Sequence, residues 1–149
     1  MHAHWLDKGP DALVDGADLT AAGIIYETMT TAPDDYQASL DALKDARGYV
    51  EQDEIAFHPD TPNLSAICDK FSGEHFHTDD EVRFVLKGAG IFDIRSAGDE
   101  WMRVTVTAGD LIVVPKDCHH RFFLTDEKMI RCVRLFKDTS GWTAHYRAA

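Results

Sequence analysis

Hydrophobic positions along the chain follow one period early and another late. In "PDDYQASLDALKDAR", Tyr36, Leu40 and Leu43 recur at i, i+4 and i+7, a spacing that puts them on one face of a helix. Pro33 and the acidic pair behind it suit the helix start, and Gly48 is placed to end it. Ahead of this, "IIYETM" has the β-branched and aromatic content of a short strand, and Leu19 to Ala22 form a single helical turn. From about Glu81 onward, short apolar runs are separated by Gly, Asp and Pro at the roughly 8 to 12 residue spacing of an all-β barrel or sandwich. The pattern predicts strands over 82–86, 91–95, 101–106, 111–114, 119–124 and 130–136. "KGAG" reads as a tight hairpin and "SAGDE" as a longer one, and in "TAGD" Gly109 is expected to supply a positive φ. The expected product is an antiparallel barrel.

Neither a Gly/Ser linker nor an internal repeat divides the two regions, and 149 residues suit one domain with one core. The 15 basic residues stand against 26 acidic ones, a formal net charge of -11. Without a basic stripe, nucleic acid is excluded as a partner. No run approaches the roughly 18 apolar residues of a membrane span. "MHAHWLDKGPD" lacks a basic region followed by an apolar stretch. The expectation is a cytoplasmic protein that contacts no membrane. Cys68, Cys118 and Cys132 are odd in number and form no CxxC pair, which suits reduced thiols.

Candidate chemistry sits in "EHFHTDDE". In an extended chain side chains alternate between faces, so His75 and His77 point the same way, and Glu81, an even number of positions on, rejoins that face if the chain stays roughly extended. One continuous segment cannot surround a cation. A fourth ligand is expected from "PKDCHHRFF", where only one of the adjacent His119 and His120 can face inward. Imidazoles with a single carboxylate suit Fe(II), Ni(II), Mn(II), Co(II) or Zn(II), and the absence of cysteine from the set disfavours structural zinc. His58 and His145 read as ordinary surface or tail residues, and His2 and His4 as part of a disordered terminus.

"HFHTDDEVRFVLKGAGIFDIR", "AGDLIVVP", "HRFFLTDEK" and "RCVRLF" resemble the acireductone dioxygenase branch of the cupin superfamily. The resemblance covers nearly the whole chain and is densest from Phe71 to Arg147. It implies a mainly β, jelly-roll-like antiparallel cupin barrel with a few N-terminal helices. Residues 1–70 would pack on the barrel and residues 71–147 would form its metal-binding core. It implies one Fe(II) or Ni(II) per monomer, held by His75, His77, Glu81 and His120; the doublet is resolved because the family's ligand directly precedes "RF". Its implied reaction belongs to methionine salvage: 1,2-dihydroxy-3-keto-5-methylthiopentene and O2 give 4-methylthio-2-oxobutanoate and formate with iron. With nickel they give 3-methylthiopropanoate, formate and carbon monoxide.

In that frame Asp80 resembles the residue that takes a substrate proton, and Arg83 and Arg134 are candidates to balance a bound dianion. Phe71, Phe122 and Trp142 would wall the cavity. The chain departs from the pattern at "PKDCHH", where Asp117 stands in place of a glycine; Asp tolerates the left-handed conformation better than most residues. "WTAHYR" only approximates the family's tail. Two other readings stay open: a divergent isomerase or lyase acting on another small enediol or keto acid, and a non-catalytic metal- or ligand-binding module.

Overall fold

A computed structural model of the chain describes residues 2–138 and 143–147. In order, the elements are β1 (His2–Trp5), a 3-10 turn (Leu6–Lys8), α1 (Gly16–Ala21), β2 (Ile25–Thr28), α2 (Pro33–Arg47), β3 (Glu51–Phe57), α3 (Leu64–Ser72) and β4 (His75–Phe76). β5 (Glu81–Arg95), β6 (Trp101–Thr107), β7 (Asp110–Val114), β8 (His120–Leu124), β9 (Ile130–Phe136) and β10 (His145–Tyr146) follow. The helix signals act as their chemistry dictates. Pro33 opens α2 with Asp34 and Asp35 in its first turn, Lys44 and Arg47 lie in its last, and Gly48 closes it at φ 78°. Asp15 and Asp18 cap α1 reciprocally, each side chain accepting from the other's backbone amide.

Every strand pairing is antiparallel, and the strands form two sheets that share β5. One runs β1-β6-β5-β8-β4-β10, the other β2-β7-β5-β9-β3. The protein is therefore mainly β, with a cupin-type jelly-roll arrangement in which the hydrogen-bonded ladder stays open. β5 belongs to the second sheet over 81–88, against β7 and β9, and to the first over 89–95, against β6 and β8.

That sharing corrects the expectation of a hairpin at "KGAG", because the chain runs straight through it as one strand. The pairing with β9 slips between Val85 and Lys87, and Gly88 takes φ 81°, where a Cβ would overlap the Met129 carbonyl. The glycines serve a bulge at which one strand passes from sheet to sheet. The N-terminus is corrected too: His2 and His4 lie in β1, in register with Thr105 and Arg103 of β6. Gly109 has φ 95° and Asp117 φ 65°, so aspartate supports the left-handed turn without a glycine.

Alternation along the shared strands builds two cores. Val82, Phe84, Leu111, Val113, Val133 and Leu135 point outward beneath α2, with Leu40 and Tyr49. Val85, Phe92, Ile94, Met102, Ile112 and Val114 point between the sheets. A cavity that reaches His75 and Glu81 borders this second core through Val85, Phe92 and Ile130.

Candidate active site

Strand pairing makes the first contact of the site. β4 and β8 run antiparallel with His75 opposite His120, so the ladder itself sets the two imidazoles side by side, centroids 4.5 Å apart. His77, two residues on, lies 5.0 Å from His75 and 5.5 Å from His120. One ring nitrogen from each of the three lies within 4.8 Å of the others, and all three side chains are buried. Each Nδ1 faces a backbone carbonyl: His75 that of Gly73 at 2.7 Å, His77 that of Thr143 at 3.0 Å, His120 that of Cys118 at 2.9 Å. An Nδ1–H donated outward fixes the tautomer and turns the Nε2 lone pair inward, the arrangement a metal-binding histidine needs.

Glu81 reaches this group by a different route from the one expected. The chain bends over 78–80 and Glu81 opens β5 in the other sheet, instead of continuing the strand of His75. Its Oε2 lies 2.7 Å from His120 Nε2, yet among the described residues neither buried atom has a hydrogen-bond partner. Burying polar atoms unpartnered is costly. Three imidazole nitrogens gathered within 4.8 Å, with the Glu81 carboxylate beside His120 alone, fit a divalent transition metal, which would satisfy the orphaned atoms. Burial opposes ionisation of Glu81, but the charges of Arg83 and His120 hold its pKa well below the usual carboxylate range. Burial pushes His75 and His77 down and favours the neutral, ligating form. In His120 burial acts the same way, but the Glu81 carboxylate outweighs it and raises the pKa.

Of the doublet, His120 turns into the group, while the His119 ring packs 5.2 Å from Phe76 outside it. Arg83 donates from Nη2 to Glu81 Oε1 at 2.9 Å. Arg134 makes a two-pronged pair with Asp53 of β3, Nε to Oδ1 at 2.8 Å and Nη2 to Oδ2 at 2.5 Å. Asp80 accepts from Tyr49 Oη at 2.6 Å, Arg47 Nη2 at 2.9 Å and the Lys116 amide at 2.9 Å. Burial opposes its ionisation, but the Tyr49 and Arg47 bonds hold its pKa below the ordinary value. Phe71 and Phe122 meet edge to face, 6.3 Å apart. Trp142 lies outside the described residues.

Sheet register explains the chemistry of the cavity wall. In register across β5, β9 and β3, Arg83, Arg134 and Asp53 form one row, and Val85, Cys132 and Ile55 the next. Two residues separate the rows, about 7 Å. The inner face thus changes from charged to apolar in a single step. One lobe of the cavity is lined by His77, Asp79, Asp80, Glu81, Arg83 and Arg134, with Ile55, Phe71, Leu135 and Phe136 beside them. The other is lined by Ile55, Phe71, Val85, Phe92, Phe122 and Cys132, with His75, Glu81 and Arg83 at its edge. Asp53, Ile55, Tyr49 and Cys132 were not among the residues expected here. Alternation in "EQDEIAF" puts Asp53, Ile55 and Phe57 on one face and could have flagged a strand; Tyr49 gave no sequence signal.

Residues 7–144 match the model of the ARD/ARD' family. The chain belongs to that family. It is 47% identical over 124 residues to an acireductone dioxygenase of Heterostelium pallidum, covering 83% of this chain and 84% of the relative. It is 39% identical over 143 residues to that of Dictyostelium discoideum, covering 95% and 96%. Among solved structures, an acireductone dioxygenase from Bacillus anthracis with a cadmium ion in its active centre superposes with a TM-score of 0.88 at 27% identity, over 97% of each chain. As an ARD/ARD' member the protein is an oxidoreductase of the dioxygenase class, and its histidine cluster suits a divalent metal. Among the described residues, no helix is long and apolar enough to cross a membrane.

Proposed function

We propose that the chain is a metal-dependent acireductone dioxygenase of methionine salvage, a cytoplasmic monomer that cleaves 1,2-dihydroxy-3-keto-5-methylthiopentene with O2. Loaded with iron it would give 4-methylthio-2-oxobutanoate and formate, and loaded with nickel 3-methylthiopropanoate, formate and carbon monoxide. The observation that carries this reading is the group of three buried imidazoles with inward Nε2 atoms. It sits where a lobe rich in charged groups meets a mainly apolar one, the two sharing Ile55, Phe71, Glu81 and Arg83. A substrate with an enediol head and a thioether tail has the same two halves. His75, His77, His120 and Glu81 would hold the ion, which when bound supplies Lewis acidity toward an oxygen-rich substrate.

The chain's own groups then divide the work. Arg83 and Arg134 place two guanidinium charges on the polar wall, where negative charge accumulates as the enediol ionises. Asp80, held by three donors, takes a proton only from an acid strengthened by its surroundings. An enediol bound among these charges is such an acid. Phe71 and Phe122 close the apolar lobe against water and fix the tail, so that the reacting head is presented in one orientation.

The test is elemental analysis of the purified protein, followed by an anaerobic assay with synthetic acireductone and then admission of oxygen. Formate with the keto acid from the iron-loaded enzyme, and formate with carbon monoxide from the nickel-loaded enzyme, is the expected outcome. Absence of oxygen uptake with either metal would overturn the proposal.

A further inference from the structure

The Nδ1 partners of the three histidines differ in kind. Gly73 and Cys118 lie two residues before His75 and His120, so those bonds are local. His77 instead faces the carbonyl of Thr143, 66 positions away in sequence. That carbonyl belongs to a segment, 143–147, attached to the domain by its own set of contacts. β10 pairs with β4, His145 against Phe76 and Tyr146 against His75. Tyr146 Oη donates to the Lys70 carbonyl at 2.8 Å, and its ring lies over Gly73, where a Cβ would come within 3.1 Å of it. The Arg147 amide donates to the Glu74 carbonyl at 3.0 Å. Its guanidinium binds Glu74 Oε2 at 2.7 Å and both oxygens of Asp99 at 3.1 Å.

The Arg147 contacts are anchored in turn. Arg95 grips Glu74 from the other side through Nε at 3.1 Å and Nη2 at 3.0 Å and bonds the Asp99 carbonyl at 3.0 Å. Its guanidinium also lies 3.8 Å from the centre of the Trp101 ring. A surface ion pair by itself contributes little to stability. This one joins two carboxylates already fixed by Arg95 to the end of a short strand whose own ladder is only two residues long. Without it, the side-chain ties of β10 among the described residues are Tyr146 to Lys70 and the stacking of His145 on Phe76, centroids 5.1 Å apart.

We propose that residues 143–147 are a strap that orients His77, with Arg147 as its positioning residue: the Arg147–Glu74–Asp99 cluster holds the strand that delivers the Thr143 carbonyl to His77 Nδ1. The proposal rests on the reading of His77 as a metal ligand. Arg147 touches neither the imidazoles nor either lobe of the cavity; it acts through the strap. Loss of an outer partner of a ligating histidine lowers metal affinity roughly 10- to 100-fold.

Cobalt(II) is the probe, bound to the metal-free full chain in competition with a chromophoric chelator and followed by its visible d–d bands. Arg147→Ala should weaken cobalt binding about tenfold, with the thermal melt of the metal-free protein unmoved, because the side chain is 39% exposed. The Nδ1–H proton resonance of His77 in the zinc-loaded protein should lose its hydrogen-bonded shift in the same variant. Arg147→Lys, which keeps the charge near Glu74, should recover part of the affinity. Combining Arg147→Ala with Tyr146→Phe should weaken binding beyond Arg147→Ala alone. If Arg147→Ala binds cobalt as the unaltered protein does, or keeps the His77 resonance in place, the strap is wrong while the metal site stands. If the unaltered protein binds no cobalt, both fall.

Discussion

The two faces of the β2-β7-β5-β9-β3 sheet are made by the same strands and obey different rules. On the face under α2, Val82, Phe84, Val133 and Leu135 are each no more than 1% exposed, and their requirement is volume and apolarity. On the other face, Arg83 and Arg134 stand one row from Val85 and Cys132, and each requirement is for one chemical group at one register position. Because side chains alternate, a step of one residue along β5 or β9 crosses from one rule to the other. Stability and chemistry are interleaved residue by residue, and substitutions should separate them just as sharply.

The largest separation is expected at the doublet opening β8. His120→Ala should abolish metal retention, measured by elemental analysis after dialysis, whereas His119→Ala should leave it intact; equal loss in both would break the alternation on which the comparison rests. Next is Phe84→Ala on the α2 face. It should cost about 3 to 5 kcal/mol in denaturant unfolding of the metal-free protein and leave turnover per folded molecule unchanged at low temperature.

Cys132→Ala, on the cavity face of the neighbouring strand, should act oppositely. Deepening the apolar lobe should raise kcat/KM for a substrate one methylene longer, relative to the natural length, by about tenfold with only a small change in melting. An unchanged ratio would place the tail elsewhere.

The smallest effect is expected at Tyr49, whose ring lies in the α2 core and whose hydroxyl crosses to Asp80. The Asp80 pKa is depressed in the fold, so its stabilisation is present above the unfolded carboxylate value and is lost as pH falls through the folded one. Tyr49→Phe raises that folded value. The acid limb of the melting profile should move to higher pH, with about 1 kcal/mol lost near neutrality.

What the sequence disclosed follows from range. α2 was legible because its apolar spacing, proline, acidic first turn and terminal glycine all lie within sixteen residues and agree. The clustered imidazoles were legible because "HFH" puts two of them on one face, alternation allows only one of His119 and His120 inward, and the resemblance names His120. β3 was not, because "EQDEIAF" alternates weakly and draws its partner from β9, about eighty positions away. The "KGAG" reading failed for an instructive reason: spaced glycines mark a bulge as readily as a hairpin, and only the pairing of both halves of β5 with different strands decides between them. Arg47 and Tyr49 on Asp80, Asp53 on Arg134 and Thr143 on His77 were illegible because each partnership joins segments 31 to 81 residues apart.

Gly90 gives the bulge in β5 a further meaning. A methyl group there would sit 2.7 Å from Phe122 Cε2 and 3.0 Å from Ile130 Cδ1, pressing on the ring that bounds the apolar lobe. The backbone of one strand therefore acts as the seat of a gauge. Seat height fixes the ring, and the ring fixes the bore of the cavity it lines, at a position with no side chain of its own.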